Sequence, residues 1–409
     1  MRNICLCFQV HHPFHFQTFK QSDIGSNKSY YDDQRIEGEI NDAVINSYLP
    51  TNEFLLELIK KHKGKLKVAF YISGTTIDQF LMYEPQVLNS FRQLADTGQV
   101  EFLGGTASHS LITLTNYKKE LAHQVKDHQA RIEYLLGVTP QVFVNADLIY
   151  SDLIGKDIGE AGYRAMITNG CKKTLVWRSP NYVYSNSYRP KMDVYFRNEE
   201  VSDEFANKLN NFDSDQKDAN GFLSQITSLR KEEPLLNVFL DYKDLGGGEI
   251  EKKQQFMETV VGQINKSSIM SFVFPSEIAD RLGSVAPIHA SDPICWVSDF
   301  HSSYFPGNEL QIEAIKQLYM LQNQVAIMDD LNLQKDWQYL QTSDHFHLMD
   351  EQHPDYQNNH TGNGIYKTKY DAFISYMNIL DDFRLKIHQE TERAEKQQTR
   401  RQVLNKNKK

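Results

Sequence analysis

This chain of 409 residues has few cysteines, no long apolar run and no excess of positive charge. The four cysteines, at positions 5, 7, 171 and 295, are scattered and include no CxxC pair, which argues against a zinc site and against a disulfide framework. The formal net charge of −9 gives no general attraction to nucleic acid or to an anionic membrane. We therefore expect neither nucleic acid nor membrane as a partner.

No apolar run approaches the length of a membrane span. The apolar segment at residues 4–10 is also shorter than the hydrophobic part of a secretory signal with its cleavage site, and it leads directly into His11, His12 and Pro13. These features predict a cytoplasmic protein.

Aromatic residues, by contrast, are plentiful, with 23 phenylalanines and 21 tyrosines. A hydrophobic content of 40% and a charged content of 24% are typical of a globular protein with a sizeable core. The aromatic content exceeds what a core requires and indicates a binding cleft. Because aromatic faces bind sugar rings and bases alike, composition does not choose the ligand.

Strand and helix patterns alternate along the first part of the chain. Apolar, β-forming runs at residues 3–10, 67–74 and 235–241 are each followed by a helical pattern or a polar loop, and such units recur roughly every 30 to 40 residues. The alternation predicts a parallel α/β fold, either a barrel or a doubly wound sheet. We favour the barrel because the candidate site residues follow many different strands.

The pattern changes beyond Glu277, where apolar residues recur at helical spacing in successive segments. The last residues are rich in Gln, Lys, Arg and Asn and lack an apolar stripe. The sequence therefore predicts a (β/α) barrel domain at 1–285, a helical C-terminal domain at 286–389 and a charged, disordered tail at 390–409.

Two aspartates stand at the ends of strand patterns. Asp147 follows the apolar run at residues 142–144, and Asp241 ends the run at residues 235–241. Catalytic groups collect at the carboxyl ends of strands in β/α barrels. Two carboxylates can act as nucleophile and general acid/base of a retaining glycoside hydrolase if they lie about 5 to 5.5 Å apart. Asp147 could instead simply cap the next helix.

Other polar and aromatic residues accompany further strand patterns. His11 begins a histidine-rich loop after the first strand, Glu101 and His109 fall at the end of the third, and Trp177 lies in a later loop. These side chains could bind sugar hydroxyls and stack on a pyranose ring. The histidine-rich loop that begins at His11 could equally be an ordinary polar loop with no role in binding. Glu101 requires a partner, because an unpaired buried carboxylate costs several kcal/mol or shifts its pKa.

Four segments resemble motifs of glycoside hydrolase family 57, in the order of that family. Residues 8–13 (FQVHHP) are similar to its VHQP opening, and residues 98–105 (GQVEFLGG) look like its second motif. Residues 143–152 (FVNADLIYSD) resemble the FRNTELIYSD motif of the α-amylase-like branch, and residues 239–242 (FLDY) resemble the start of MDYETFGEH. Further similar segments are WRSPNY at 177–182, APIH at 286–289, GNELQ at 307–311 and LQTSDHF at 340–346.

This resemblance implies an incomplete, seven-stranded parallel (β/α) barrel followed by a C-terminal helical bundle. It implies activity on α-1,4-glucans or maltooligosaccharides with retention and without a metal or another cofactor. Asp147 falls at the nucleophile position of the family and Asp241 at the position of its general acid/base. The expected substrate-binding residues are His11, Glu101, His109, Trp177, Tyr242, Asp344 and His345.

The chain departs from the family pattern at the site itself. Asp147 stands where the family has glutamate, which places its carboxylate about 1 Å farther from the anomeric carbon, and misplacement of that size can cost about a hundredfold in rate. His12 replaces a glutamine. Lys243 introduces a cation two residues after Asp241, which opposes proton donation unless the lysine faces solvent.

Three functions follow from these patterns. The first is a retaining α-glucan hydrolase or transglycosylase of weak activity, and the second is a non-catalytic α-glucan-binding homologue with a degraded site. The third is a polysaccharide deacetylase-like metalloenzyme with His11, His109 and Asp147 as metal ligands. The paired aspartates and the H-x-x-x-H pattern expected of such an enzyme are missing.

Overall fold

The computed structural model describes residues 1–211, 216–296, 307–351 and 364–406. The chain forms two compact units. The first, the barrel unit, comprises Met1–Pro13, Gln34–His109 and Thr113–Tyr304. The second, the helical unit, comprises Phe14–Asp33, Ser110–Ile112 and Phe305–Lys409.

The described residues of the barrel unit contain one ten-stranded sheet. Its strands are β1 (Arg2–Val10), β2 (Val68–Ile72), β3 (Val100–Phe102), β4 (Val142–Val144), β5 (Ala165–Asn169), β6 (Val183–Asn186), β7 (Asp193–Arg197), β8 (Leu235–Asp241), β9 (Met270–Phe272) and β10 (Ala286–Ile288). Strands β1 to β5, β7 and β8 are the seven parallel strands of a (β/α) barrel that has one strand fewer than the usual eight. The predicted incomplete seven-stranded barrel is confirmed.

Strand β1 lies between β8 and β2, and its register aligns the ends of all three strands. Gln9 pairs with Asp241 on one side and with Tyr71 on the other. Because the three strands are parallel, the residues that follow them emerge at the same edge of the sheet. The loop that begins at His11 is therefore a neighbour of the turn that begins at Asp241.

The ring of strands is completed by short contacts. Gly104 bridges to Phe143 and so connects β3 with β4, while Arg197 pairs with Asn237 and connects β7 with β8. Strand β6 runs antiparallel to β7, and β10 is parallel to β6. These two strands and β9, which pairs with the start of β1, extend the sheet beyond the seven.

Helices connect the strands of the barrel unit. They are α1 (Asp33–Ala43), α2 (Leu49–Lys61), α3 (Gly74–Tyr83), α4 (Gln86–Asp96), α5 (Lys118–Leu136), α6 (Asp152–Glu160), α7 (Lys172–Leu175), α8 (Glu199–Asn210), α9 (Gln216–Ser228), α10 (Ile250–Lys266) and α11 (Pro275–Arg281). A π-helical turn, Val44–Tyr48, joins α1 to α2.

The strands separate two cores, because alternate side chains point to opposite faces. Leu6 and Phe8 of β1 belong to the outer core between strands and helices, whereas Cys5 and Cys7 line the interior of the barrel. Burial raises the pKa of both thiols well above the usual value. All four cysteines are buried.

The helical unit contains α12 (Glu309–Tyr319), α13 (Gln322–Val325), α14 (Leu331–Leu340), α15 (Asp344–His347) and α16 (Lys369–Lys406). Within it the Trp337 ring packs against Tyr319 at 5.9 Å and Phe383 at 6.4 Å between ring centroids. The predicted helical C-terminal region is confirmed, and α16 continues into the tail segment up to Lys406. No described helix is both long enough and apolar enough to cross a membrane.

Glu101 is the central residue of β3, within the strand that the sequence predicted. Its neighbours Val100 and Phe102 belong to the outer core, so Glu101 points into the barrel. Its carboxylate accepts a hydrogen bond of 3.2 Å from the Ser276 N–H. Burial nevertheless raises the pKa of Glu101 from 4.5 to about 7. The Ser276 N–H is therefore the partner that a buried carboxylate requires, but its hydrogen bond offsets only part of the rise in the pKa that burial causes.

The raised pKa of Glu101 predicts that the free energy of unfolding falls with pH. Between pH 4.5 and 7 the folded chain binds this proton and the unfolded chain does not, so stability decreases as the pH rises through that window. Glu101→Gln retains an acceptor for Ser276 and removes the titration. We expect the loss of stability between pH 5 and 8 to shrink by up to about 3 kcal/mol in this variant.

Urea unfolding at the two pH values measures this difference. Glu57→Gln removes one carboxylate from the exposed surface of α2 and is the control for the change in net charge. If Glu101→Gln lost as much stability between pH 5 and pH 8 as the native chain does, Glu101 would not be the source of this pH dependence.

Candidate active site

Asp147 lies directly after β4 in a short 3₁₀ turn, Ala146–Leu148. Asp147 and Leu148 both have φ of 52°, in the left-handed region. An aspartate enters this region fairly readily, but a leucine rarely does, so the turn stores strain on the order of 1 kcal/mol or more. Strain of this kind collects at functional sites and persists only where the surroundings enforce it.

Hydrogen bonds from three directions hold the strained turn. The Trp296 N–H donates to the Asp147 carbonyl at 2.8 Å. The Thr168 hydroxyl, on β5, donates to the Leu148 carbonyl at 2.7 Å, and the Asn145 amide donates to the Ile149 carbonyl at 3.1 Å. The backbone around Asp147 is therefore fixed by its tertiary contacts.

The segment that supplies Trp296 is itself fastened to the residues after Asp147. Tyr150 and Ile294 exchange two backbone hydrogen bonds of 2.9 and 2.8 Å. Asp152 is buried, and its carboxylate accepts from the Ala290 N–H at 3.1 Å and lies 2.6 Å from Nδ1 of His289. Residues 289–296 thus form a clasp along the Asp147 loop.

Trp296 also links this loop to the neighbouring strand ends. Its half-buried ring lies 5.8 Å from the Phe239 ring, two residues before Asp241. The Arg197 guanidinium lies 4.8 Å above the Trp296 ring, and its Nε donates to the Phe239 carbonyl at 3.1 Å. The sequence pattern indicated Trp177 and gave no sign of Trp296, although the chain has only three tryptophans.

Asp241 ends β8 and begins a 3₁₀ turn, Tyr242–Leu245. One carboxylate oxygen accepts from the Lys243 N–H at 3.1 Å, and the other lies 3.5 Å from the Lys243 ammonium. The Lys243 side chain is 60% exposed, so this ion pair is weak. Lys243 thus faces solvent, which was one of the two alternatives, and it still contacts Asp241.

A second carboxyl group, Asp244, lies in the same turn. Burial and the negative charge of Asp241 raise the pKa of Asp244 to about 6, although Lys243 and Lys253 act in the opposite direction. The turn therefore carries one aspartate paired with a lysine and another that takes up a proton close to neutral pH. Only the position of Asp244, three residues after Asp241, could have indicated this group from the sequence.

Tyr242 supports the Asp241 turn from the outer core. It is fully buried, and its hydroxyl donates to the Asn52 side chain at 2.6 Å. Its ring is parallel to that of Tyr48, with 5.7 Å between the centroids. These contacts hold Tyr242 behind Asp241, and its predicted contact with substrate stays a prediction.

His11 and His109 are brought into direct contact. Their rings stack with centroids 3.8 Å apart. His11 Nδ1 lies 2.8 Å from the Ser73 hydroxyl, and His109 Nδ1 lies 2.8 Å from the Tyr71 hydroxyl. The two predicted binding residues thus form one cluster at the ends of β1, β2 and β3, with Ser73 and Tyr71 as polar partners that sequence analysis missed.

Trp177 lies in the loop after α7, on the carboxyl side of β5. Its ring is 86% exposed, and the neighbouring Val176 is 72% exposed with φ of 57°. The Arg178 guanidinium lies 5.8 Å from the Trp177 ring. An aromatic ring this exposed provides a surface on which a sugar can stack.

The other two predicted binding residues belong to the helical unit. Asp344 begins α15 and is half-buried. His345 stacks on Phe16 at 3.8 Å and its Nε2 lies 2.9 Å from the Tyr339 carbonyl. Burial lowers the pKa of His345 to about 4, so the imidazole is neutral at physiological pH. His345 is part of the core of its unit, and the predicted sugar contacts of both residues stay predictions.

Within the described parts of the chain, no three His, Cys, Asp or Glu side chains are grouped as a metal ion would require. The set imagined for a metalloenzyme, His11, His109 and Asp147, therefore does not form such a group.

Comparisons with known proteins bear on the family and the fold of this chain. A curated relative from Methanocaldococcus jannaschii, named "Putative alpha-amylase", is 28% identical over 390 residues, which cover 92% of this chain and 83% of the relative. The fold is similar to that of the alpha-amylase AmyC from Thermotoga maritima, with a TM-score of 0.64 and 12% identity over 95% of this chain and 94% of that one.

The fold is also similar to the 4-alpha-glucanotransferase from Thermococcus litoralis, with a TM-score of 0.63 and 14% identity over 84% of this chain. The match spans 56% of the glucanotransferase, so this chain corresponds to about half of that protein. Finally, the model of glycosyl hydrolase family 57 matches residues 5–291, which include strands β2 to β10 and most of β1. The chain therefore belongs to glycosyl hydrolase family 57.

Proposed function

We propose that this chain is a retaining glycoside hydrolase or transglycosylase that acts on α-1,4-glucans and maltooligosaccharides. The observation that carries the proposal is the pair of aspartates at the carboxyl ends of two parallel strands of the family barrel, Asp147 after β4 and Asp241 at the end of β8. The names of the similar proteins, an amylase and a 4-alpha-glucanotransferase, support an α-glucan as the substrate.

In this proposal Asp147 attacks the anomeric carbon while Asp241 gives a proton to the leaving glycosidic oxygen. The glycosidic bond breaks, and an ester joins the sugar to Asp147. Asp241 then takes a proton from water or from a sugar hydroxyl, whose oxygen attacks the anomeric carbon and releases Asp147. Water completes hydrolysis, and a sugar acceptor completes transfer.

The clasp at residues 289–296 supports the nucleophile role of Asp147. A backbone held in the left-handed region by the Trp296 N–H and the Thr168 hydroxyl keeps the carboxylate in one place. Positioning matters most for a short nucleophile, because an error of about 1 Å can cost a hundredfold in rate. The Asp147 side chain is one methylene shorter than that of glutamate, so it has less freedom to compensate for a displaced backbone.

A test of the proposal replaces Asp147 with the family residue. Asp147→Glu is expected to raise the turnover of maltoheptaose, by up to about a hundredfold, because the longer side chain reaches the anomeric carbon. Asp241→Asn is expected to abolish turnover both in the native chain and in the Asp147→Glu variant, because an amide cannot donate the proton. Release of reducing ends measures both effects.

Asp193→Asn, a substitution of a half-buried aspartate at the start of β7, is the control for the change of charge. Full activity of Asp241→Asn would exclude the acid/base role of that residue. Turnover that is lost with a chelator and restored by zinc would instead revive the metalloenzyme alternative.

The exposed Trp177 generates a second test. If glucan stacks on this ring, Trp177→Ala should raise KM for maltoheptaose by up to about tenfold and leave kcat unchanged. The matched control is Tyr134→Ala, because Tyr134 is 85% exposed but lies on α5, away from the strand ends. If the two substitutions changed KM equally, Trp177 would not be part of the glucan-binding surface.

A non-catalytic α-glucan-binding protein is the second candidate function. Two observations favour it, namely the short Asp147 side chain and the contact between Lys243 and Asp241, which puts a cation beside the carboxylate that hydrolysis would need as the acid. Calorimetry with maltoheptaose separates the candidates. Binding without turnover, in the native chain and in Asp147→Glu alike, would establish the binding protein.

A further inference from the structure

Gln9, one residue before the end of β1, carries a carbonyl oxygen that forms no hydrogen bond. Its Oε1 atom is buried, and no described residue donates to it. A buried amide oxygen without a donor costs free energy, because it loses its bonds to water and gains none from the protein. The side chain as a whole is only half-buried, so it is not sealed inside the core.

The Gln9 side chain points into the barrel. Phe8 and Val10, on either side of it, belong to the outer core, whereas Cys5 and Cys7 line the interior. Because side chains alternate along a strand, Gln9 continues the inward row of Cys5 and Cys7 at the carboxyl end of β1. Its carboxamide is therefore part of the inner wall at the end of the barrel where the candidate active site lies.

The two register neighbours of Gln9 point the same way. Gln9 pairs with Asp241 of β8 and with Tyr71 of β2. Tyr71 belongs to the interior core, and Asp241 lies two residues after the interior residue Phe239. Adjacent strands are about 4.8 Å apart. The Gln9 carboxamide thus lies between the side chains of Asp241 and Tyr71, within one strand spacing of each.

This position connects the two halves of the candidate site. On one side the Tyr71 hydroxyl lies 2.8 Å from Nδ1 of His109, whose ring stacks on that of His11. On the other side is the carboxylate of Asp241, at the end of β8. A sugar that contacts both the histidine pair and Asp241 must pass over Gln9.

A carboxamide offers one oxygen that accepts and an NH₂ group that donates, and it carries no charge. Adjacent sugar hydroxyls can each donate and accept, so the two groups are complementary. We propose that Gln9 is a substrate-binding residue whose carbonyl accepts a hydrogen bond from a hydroxyl of the sugar held beside Asp241, while its NH₂ group donates to a neighbouring hydroxyl. The identity of that sugar as part of an α-glucan rests on the proposed function.

The first test needs no ligand. Gln9→Met keeps the length of the side chain and removes the unsatisfied oxygen, so the variant should unfold at the same temperature as the native chain or at a higher one. A purely structural glutamine would give the opposite result. A lower unfolding temperature of Gln9→Met would therefore overturn the proposal.

Gln99→Met is the matched control. Gln99 is also half-buried with a buried Oε1 atom that no described residue bonds, but it precedes β3 and so lies at the opposite end of the barrel. Its replacement should leave binding of maltoheptaose unchanged.

Calorimetry with maltoheptaose is the second test. Gln9→Met should weaken binding by about three- to tenfold, the loss expected for one or two hydrogen bonds. Gln9→Asn should weaken it as well, because the amide is retained but withdrawn by one methylene. Unchanged affinity in Gln9→Met would overturn the proposal.

Monodeoxy maltosides identify a direct contact. The native chain should bind one of these analogues about three- to tenfold more weakly than the parent maltoside, and Gln9→Met should bind that analogue and the parent equally. If every analogue lost the same affinity in Gln9→Met as in the native chain, Gln9 would contact no sugar hydroxyl.

The outcomes separate this proposal from the proposed function. Binding of maltoheptaose without turnover, weakened in Gln9→Met, would overturn only the catalytic function. Turnover and affinity that both survive in Gln9→Met would overturn only the role of Gln9. A native chain that does not bind maltoheptaose would overturn the glucan as ligand and the role of Gln9 with it.

Discussion

The hydrogen bond from the Trp296 N–H to the Asp147 carbonyl is the contact on which the candidate site depends. It holds a turn in which two consecutive residues occupy the left-handed region. The same tryptophan packs against Phe239 and carries the Arg197 guanidinium on its ring, so one residue connects the ends of β4, β7 and β8. Without this contact the strained turn would relax, and the carboxylate would lose its fixed position.

The two carboxylates of the site differ in how they are held. Asp147 is placed by backbone contacts on both sides, whereas Asp241 is placed by the register of β8 against β1 and contacts an exposed lysine. Backbone placement is rigid, and surface ion pairs are weak and sensitive to salt. The position of Asp147 is thus determined by backbone geometry, and the surroundings of Asp241 by electrostatics.

The sequence predicted the barrel and the places of both aspartates because these depend on local patterns. A β-forming apolar run followed by a carboxylate is visible at Asp147 and at Asp241 without any knowledge of the fold. The positive φ values of Asp147 and Leu148 were not predictable, since Leu148 has no local preference for them and tertiary hydrogen bonds enforce them. Trp296 was missed for the same reason, as its role exists only once the segment 289–296 lies along the Asp147 loop.

Glu101 and Gln9 show a further limit of local reasoning. The sequence indicated that Glu101 needs a partner, but the depth of its burial follows from which face of β3 points inward. Gln9 lies in the first of the resembling segments, yet its place beside Asp241 follows only from the pairing of β1 with β8, which are far apart in the chain. Residues whose role depends on such distant packing cannot be found by spacing alone.

The central place of β1 has a consequence for synthesis of the chain. The ribosome releases β1 first, yet one of its two principal neighbours, β8, begins only at Leu235, opposite Asn3. One edge of an apolar strand therefore stays unpaired while most of the barrel unit emerges. Long-range pairing of this kind folds slowly and exposes strand edges to wrong partners. Strand β1 therefore stays open to such pairing until β8 has been made.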